Sequence, residues 1–303
     1  MSHTIAIVAA GAMGSAVAAR LTAAGCTVLT NLDGRSDATR RRALEAGMID
    51  VPFTDIPRRA SCMLSIIPPS DAQSLAERYL EACRASANAG VATPVYVDCN
   101  AVNPQTVKGI ATLFKQTGVG FVDAGIIGGP PREGYFPTFY ASADQHDLFA
   151  LGALEELRTY GMKLAVLKGD GAGAGDASAL KMSYAGITKG LTGLFTTMIL
   201  SANAASPATT TALLRELHAS QPALLQRATR SIPDMLPKAY RWISEMEEIS
   251  EFVGEPLQDV HKGMSNVYRR VRDSVGGDGD DQRVLEKFVK DAIEILEKER
   301  ESI

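Results

Sequence analysis

TIAIVAAGAMGSAVAARLTAAG, residues 4–25, decides the fold. Its first five residues are apolar or β-branched, as a buried strand requires. From Ala12 onward small and apolar residues recur at helical spacing. Between the two lies AxGxxG, made by Ala9, Gly11 and Gly14. A strand, a glycine-rich turn and a helix, in that order, predict a dinucleotide-binding βα unit. Gly11 lets the backbone approach a pyrophosphate, and Gly14 lets the helix close on the strand. The backbone of Ala10, Gly11, Ala12 and Met13, at the positive end of the helix dipole, then faces the phosphates. Ala9 stands where the fingerprint has its first glycine, so the turn there needs an ordinary φ.

The pattern repeats outward from this unit. Strand signals fall at 4–8, 27–31, 62–67, 95–98, 120–124, 138–141 and 163–167. Helical patterns stand between most of them, at 12–24, 36–46, 71–85, 104–116 and 144–160. Such alternation predicts a mostly parallel, doubly wound sheet. After a glycine-rich stretch at 171–175 the strand signals stop. Helical patterns follow at 177–204, 209–220, 233–253, 257–275 and 280–299, the last entered through the turn GGDGDD. The expected fold class is an α/β Rossmann-like domain over 1–168, a hinge over 169–176 and an all-α domain over 177–303.

Bulk properties narrow the function. The 303 residues are 46% hydrophobic and 22% charged, ordinary for a globular chain of two domains. A net charge of −4 argues against a nucleic-acid partner. No uncharged apolar run reaches the length of a membrane span, and the N-terminal stretch lacks the basic start of a signal peptide. Cys26, Cys62, Cys83 and Cys99 show no CxxC spacing, and the four histidines show no metal-ligand spacing. The expectation is a cytoplasmic, metal-free protein acting on a small molecule, with no membrane or nucleic-acid partner.

The second strand leads into TNLDGRSDATRRR, residues 30–42. Asp33 there suits a ribose 2′-hydroxyl and would favour NAD. Arg35 and Ser36 suit a 2′-phosphate, because a phosphate needs charge and donors. The balance favours NADP(H). Two or more of Arg40, Arg41 and Arg42 are expected on a solvated helix face.

GAGAGDASALKMSYAGITKG, residues 171–190, places Lys181 and Lys189 on an apolar helix with Tyr184. A lysine on such a face is costly unless it is paired or used. SIIPPS (65–70), VDCNAVNP (97–104) and VDAGIIGGPP (122–131) each follow or end a strand in a loop. Together with Lys181, these motifs make the chain resemble the β-hydroxyacid dehydrogenase and 6-phosphogluconate dehydrogenase superfamily. KMSYAGITKG is similar to the 6-phosphogluconate dehydrogenase helix at Lys181, Met182, Gly186, Ile187 and Gly190. PKAYRWISEMEEISEF, residues 237–252, is similar to a branch whose helical domain was long of unknown function.

The resemblance implies a Rossmann fold, a nicotinamide cofactor and Lys181 as general acid/base. It also implies that Ile67, Pro68 and Asn100 run beside the nicotinamide, and that Ile127, Gly128 and Gly129 meet the substrate. The chain departs from the family where a serine often precedes Gly-Gly, here Ile127, and where asparagine often follows the lysine, here Tyr184 and Ala185. Those changes favour a bulkier or less polar substrate than a small 3-hydroxy acid. Tyr184 is either a second acid or a packed tyrosine. Lys189 is either an anion ligand or an interface lysine. Trp242 reads as core, and His261 as a surface or interface residue. The resemblance also implies a homodimer sharing the long helix at 177–204. Three functions follow: a hydroxy-acid dehydrogenase, an imine reductase on the same fold, or a non-catalytic dinucleotide-binding regulator.

Overall fold

The computed structural model describes residues 3–86 and 94–301. The chain divides into two compact units, Met1–Met182 and Ser183–Ile303. In the first, eight strands form one sheet: β1 Thr4–Val8, β2 Thr27–Thr30, β3 Ile49–Asp50, β4 Cys62–Ser65, β5 Val95–Asp98, β6 Gly120–Ile127, β7 Thr138–Ser142 and β8 Leu164–Val166. Their order is β3-β2-β1-β4-β5-β6-β7-β8, with β7 antiparallel to β6 and every other pair parallel. The helices are α1 Ala12–Ala23, α2 Asp37–Glu45, α3 Ile56–Arg59, α4 Ala72–Ser86, α5 Pro104–Phe114 and α6 Leu148–Glu155.

Both faces of the sheet are covered, which is why its strands read as nearly continuous apolar runs. Along β1 the side chains alternate between two cores. Ile5 and Ile7 join Val28, Leu64 and Val97 on one face. Ala6 and Val8 join Leu29, Met63, Tyr96 and Phe121 on the other. Reversal of strand order beside β1 opens a crevice at the carboxyl ends of β1 and β4, where doubly wound sheets bind ligands.

α7, Asp176–Ala205, begins in the first unit and continues into the second. The second unit is helical throughout its described residues, with α8 Pro207–Ser220, α9 Pro222–Met235, α10 Ala239–Val253, α11 Gln258–Gly276 and α12 Asp280–Glu301. Trp242 of α10 meets Tyr268 of α11 edge to face at 5.2 Å, within a core that includes Met246, Ile249, Val271 and Phe288. Among the described residues, no helix is long and apolar enough to cross a membrane.

The structure adds elements absent from the sequence reading. β3 and α3 are too short to carry a periodic signal. α9 buries Leu225, Ala228, Ile232 and Met235 at helical spacing, yet the expected helix at 233–253 placed Pro233 at a start. Pro233 instead lies inside α9, and α10 begins at Ala239 after a single 3₁₀ turn. The expected helix at 144–160 is α6 flanked by 3₁₀ turns.

Gly14 is required by the fold itself. A Cβ there would lie 2.1 Å from the carbonyl oxygen of Ala9. A Cβ on Gly11 would meet nothing within 4 Å. Gly14→Ala is therefore expected to destabilise the first unit by about 1–3 kcal/mol through overpacking, despite alanine's better helix propensity. Gly11→Ala should leave stability nearly unchanged. Thermal melts of the two variants check this, and equal midpoints would contradict it.

Candidate active site

Asp123 is the buried centre of the site's scaffold. It lies on β6, and its carboxylate gathers four donors. Oδ2 accepts from the N–H of Gly175 and of Ser178, each at 3.0 Å, and from Ser142 Oγ at 3.4 Å. Oδ1 accepts from Ser178 Oγ at 2.7 Å. Ser142 Oγ of β7 in turn accepts from the N–H of Ala177 at 3.1 Å. The opening turn of α7, whose N–H groups have no intrahelical partner, is thus capped by the sheet. Gly125, two residues along β6, lets the helix lie directly on the strand. A Cβ at Gly125 would sit 2.7 Å from the Ala177 carbonyl oxygen and 3.2 Å from Lys181 Cβ.

One helical turn beyond Ala177 comes Lys181. Its half-buried ammonium donates to the carbonyl oxygen of Asn100 at 3.3 Å. Asn100 is itself braced on three sides. Its N–H donates to Asp98 Oδ1 at 2.9 Å, its Nδ2 donates to Ser65 Oγ at 2.9 Å, and its Oδ1 accepts from the N–H of Ile67 at 2.8 Å. The loops after β4 and β5 are locked together, and the lysine's acceptor is fixed with them. The Asn100 side chain thus serves as a cross-link between the two loops.

Burial shapes the charges. Desolvation lowers the pKa of Lys181 below its ordinary 10.5, while the fields of Cys99, Asp98 and Asp123 raise it. Burial pushes Asp98 up to about 6, against the hydrogen bond from Asn100 and the lysine's charge. Asp123 is also raised by burial, and its donors from Ser178 and Gly175 oppose this. Asp98 Oδ2 has no hydrogen-bond partner among the described residues. A buried carboxylate with one unused oxygen therefore sits within the field of the ammonium.

At the nucleotide turn, Gly11 caps α1 with no side chain, and no acidic residue occupies the helix's first turn. Its N–H groups remain available to an anion, beside the open space over Gly11. Arg42 of α2 reaches back to the Ala10 carbonyl at 3.2 Å through Nε. Arg40 donates to the Leu32 carbonyl at 2.6 Å. All three helix arginines are exposed, as expected; Arg42 in addition ties α2 to the nucleotide turn, and Arg40 ties it to its own preceding loop. Asp33 accepts from Asn31 Nδ2 at 2.9 Å, and Ser36 caps α2 by accepting from the Thr39 N–H. Arg35 is exposed at this loop. Ile67 is half-buried and Pro68 exposed after β4, while Ile127 is half-buried and Gly128 and Gly129 are exposed after β6.

The remaining expected site residues lie in the second unit. Tyr184 is exposed. Lys189 forms an ion pair with Glu245 and lies 5.3 Å over the Trp242 ring. A carboxylate therefore already stands where a bound anion would. His261 packs against Gly186, and its Nδ1 is buried without a hydrogen-bond partner among the described residues. Sequence reasoning missed Asp98, Asp123 and Arg42. The two aspartates were visible as the VD that ends β5 and recurs in β6, but the loops after them drew the attention.

Comparison with known proteins bears on the fold. Residues 4–154 match the NAD binding domain of 6-phosphogluconate dehydrogenase. Residues 204–271 match a domain of unknown function, DUF1932. No curated protein matches the chain in sequence. Among solved structures, a conserved protein of unknown function, MTH1747, described as similar to 3-hydroxyacid dehydrogenases, is 25% identical with a TM-score of 0.69, covering 89% of this chain and 97% of that one. A 3-hydroxyisobutyrate dehydrogenase from Mycobacterium tuberculosis, with L-serine, is 13% identical with a TM-score of 0.58, covering 90% and 100%. An imine reductase from Myxococcus stipitatus, in complex with NADP+, is 17% identical with a TM-score of 0.52, covering 95% and 99%.

The Asp98 carboxyl holds its proton more tightly in the folded chain than in the unfolded one. Between pH 4 and 6 the folded state binds more protons at this site, so its contribution to stability falls as pH rises through that window. Asp98→Asn keeps an acceptor for the Asn100 N–H and removes the titration. Its stability relative to the unmodified protein should rise from pH 4 to pH 7 by up to about 3 kcal/mol, the worth of roughly two pKa units. Denaturant unfolding at a series of pH values measures this, and a pH-independent difference would refute the assignment.

Proposed function

We propose, from the match of residues 4–154 to the NAD binding domain of 6-phosphogluconate dehydrogenase, that this NAD(P)-dependent oxidoreductase interconverts a hydroxy acid and its oxo form with NADP(H). The observation that carries the reading is the Lys181 ammonium, held at the Asn100 carbonyl beside two buried carboxylates. The residues fit a dinucleotide: Gly11 leaves space at an uncapped helix N-terminus, and Arg42 buttresses the turn. The nicotinamide ring, when bound, supplies the hydride for reduction or takes it up in oxidation.

Lys181 does the proton work. In reduction its Nζ gives a proton to the carbonyl oxygen. In oxidation the neutral amine takes the hydroxyl proton. Desolvation makes the ammonium a stronger acid, and Asp98 and Asp123 keep enough of it charged to donate. Asp123 sets where the lysine stands by holding Ser178, three residues before it. Ile67 and Pro68 line the nicotinamide side of the crevice in this reading, and Gly128 and Gly129 line the substrate side.

A second reading is reduction of C=N on the same scaffold. Ile127 favours it, because that residue offers no hydroxyl to a substrate carboxylate, and an imine reductase shares the fold. NADPH oxidation with panels of oxo acids and of amine–ketone pairs separates the two. Assembly is part of the proposal: Tyr184, Ile187, Leu194 and Met198 form an exposed stripe on α7 that a second copy would cover, giving a light-scattering mass of twice 32.2 kDa.

Lys181→Met keeps the apolar stem and should preserve NADPH affinity while cutting kcat by about 10²–10⁴-fold. Retained turnover would overturn the role. For the cofactor, Asp33 is engaged by Asn31, which leaves Arg35 to meet a 2′-phosphate. NADPH is expected to bind several-fold more tightly than NADH, and Arg35→Ala should remove most of that preference. Equal dissociation constants in the unmodified protein would return the choice to NAD.

A further inference from the structure

A tight turn follows Ile127 at the end of β6. Beyond Gly128, Gly129 and two prolines, Arg132 and Tyr135 form an antiparallel bridge. The Arg132 N–H donates to the Tyr135 carbonyl at 3.0 Å, and the Tyr135 N–H returns the bond at 2.9 Å. Gly134 closes the turn at φ 69°, in the left-handed region. Phe136 fixes the turn to the sheet by packing on the core, its ring tilted against that of Phe139 at 6.1 Å.

The turn puts the Tyr135 hydroxyl in a particular place. It lies 2.1 Å from where a Cβ on residue 128 would stand, so the phenol oxygen fills the space a side chain there would occupy. Gly128 has φ 129°, a further reason for glycine at this point. No acceptor among the described residues takes the hydroxyl's proton. The Arg132 guanidinium stands 5.3 Å from the centre of the Tyr135 ring, exposed, with no carboxylate paired to it among the described residues. Glu133, the nearest acid in sequence, is also exposed.

The same strand that carries this loop touches the lysine. Gly125 abuts Lys181 Cβ, and three residues of strand from Gly125 to Gly128 cover about 10 Å.

We propose that Arg132 and Tyr135 form an anion clamp for the acid group of the substrate. Its chemistry is a guanidinium and a hydroxyl converging on a carboxylate, phosphonate or phosphate whose chain runs toward Lys181. The clamp rests on the reading of Lys181 as the acid at the reacting carbon, and it restores to this site the acid-binding group lost at residue 127. The substrate is therefore anionic, contrary to the expectation drawn from Ile127 alone.

Calorimetric titration of the protein loaded with NADP+ tests the clamp without turnover. The probes are succinate, methylphosphonate and the uncharged succinamide. At least one of the two anions is expected to bind the unmodified protein, and which of them binds more tightly separates carboxylate from phosphonate recognition. Arg132→Met should weaken that binding about tenfold or more, as expected for loss of a charge-assisted contact. Arg132→Lys should restore part of it, and Tyr135→Phe should weaken it several-fold. Succinamide affinity should stay the same in all variants. If neither anion binds, if Arg132→Met leaves both affinities unchanged, or if Tyr135→Phe has no effect, the two-residue clamp is wrong. Lys181→Met should retain the Arg132-dependent binding. Failure of the lysine's role would appear as retained turnover in Lys181→Met and failure of the clamp as unchanged anion affinity, so the two remain distinguishable.

Discussion

A single buried carboxylate holds the site together. Asp123 pays for its desolvation with four hydrogen bonds, three of them from the beginning of α7. A buried acid with fewer donors would be costly, and helix N–H groups buried without an acceptor would be equally so. Each needs the other. The outcome is a helix whose start is fixed to β6 within hydrogen-bond tolerance. Since Lys181 lies three residues past Ser178, its Cβ is fixed as well, against Gly125.

This arrangement changes the meaning of the glycine-rich stretch before α7. The sequence suggests a hinge that swings a lysine from one domain over a nucleotide held by another. In the structure, Gly173, Ala174 and Gly175 have their N–H groups bound by Asp176, Asp144 and Asp123. The division into compact units falls later, between Met182 and Ser183. Lys181 thus belongs to the same compact unit as the sheet and the N-terminal glycine-rich turn.

The βα unit at the N-terminus was legible because strand, glycines and helix have distinct local signatures, and β1 and α1 begin where the residues indicate. Lys181 was legible because a lysine on an apolar helix face is unusual. The residues around it were less so. Asp98 and Asp123 sit in strands that look like any buried strand, and their importance comes from partners 52 to 83 residues away in the chain, at Gly175, Ser178 and Lys181. Arg42 looks like one of three solvated arginines until the loop folds it onto Ala10. Tyr135 carries no motif at all, because its place over Gly128 depends on a turn whose geometry local sequence hardly encodes. In the helical unit, α9 escaped notice because Pro233 reads as a helix start and lies inside one.

The central claim is that the Lys181 ammonium is the proton donor and that its pKa lies below 10.5 because the fold desolvates it. The most direct test is the pH dependence of kcat for reduction, measured on the unmodified protein and on Lys181→Met. The account predicts a log-linear fall on the alkaline side, with an apparent pKa below 10.5, that is absent from the variant's residual activity. An identical alkaline limb in both proteins would contradict it and assign the proton to another group.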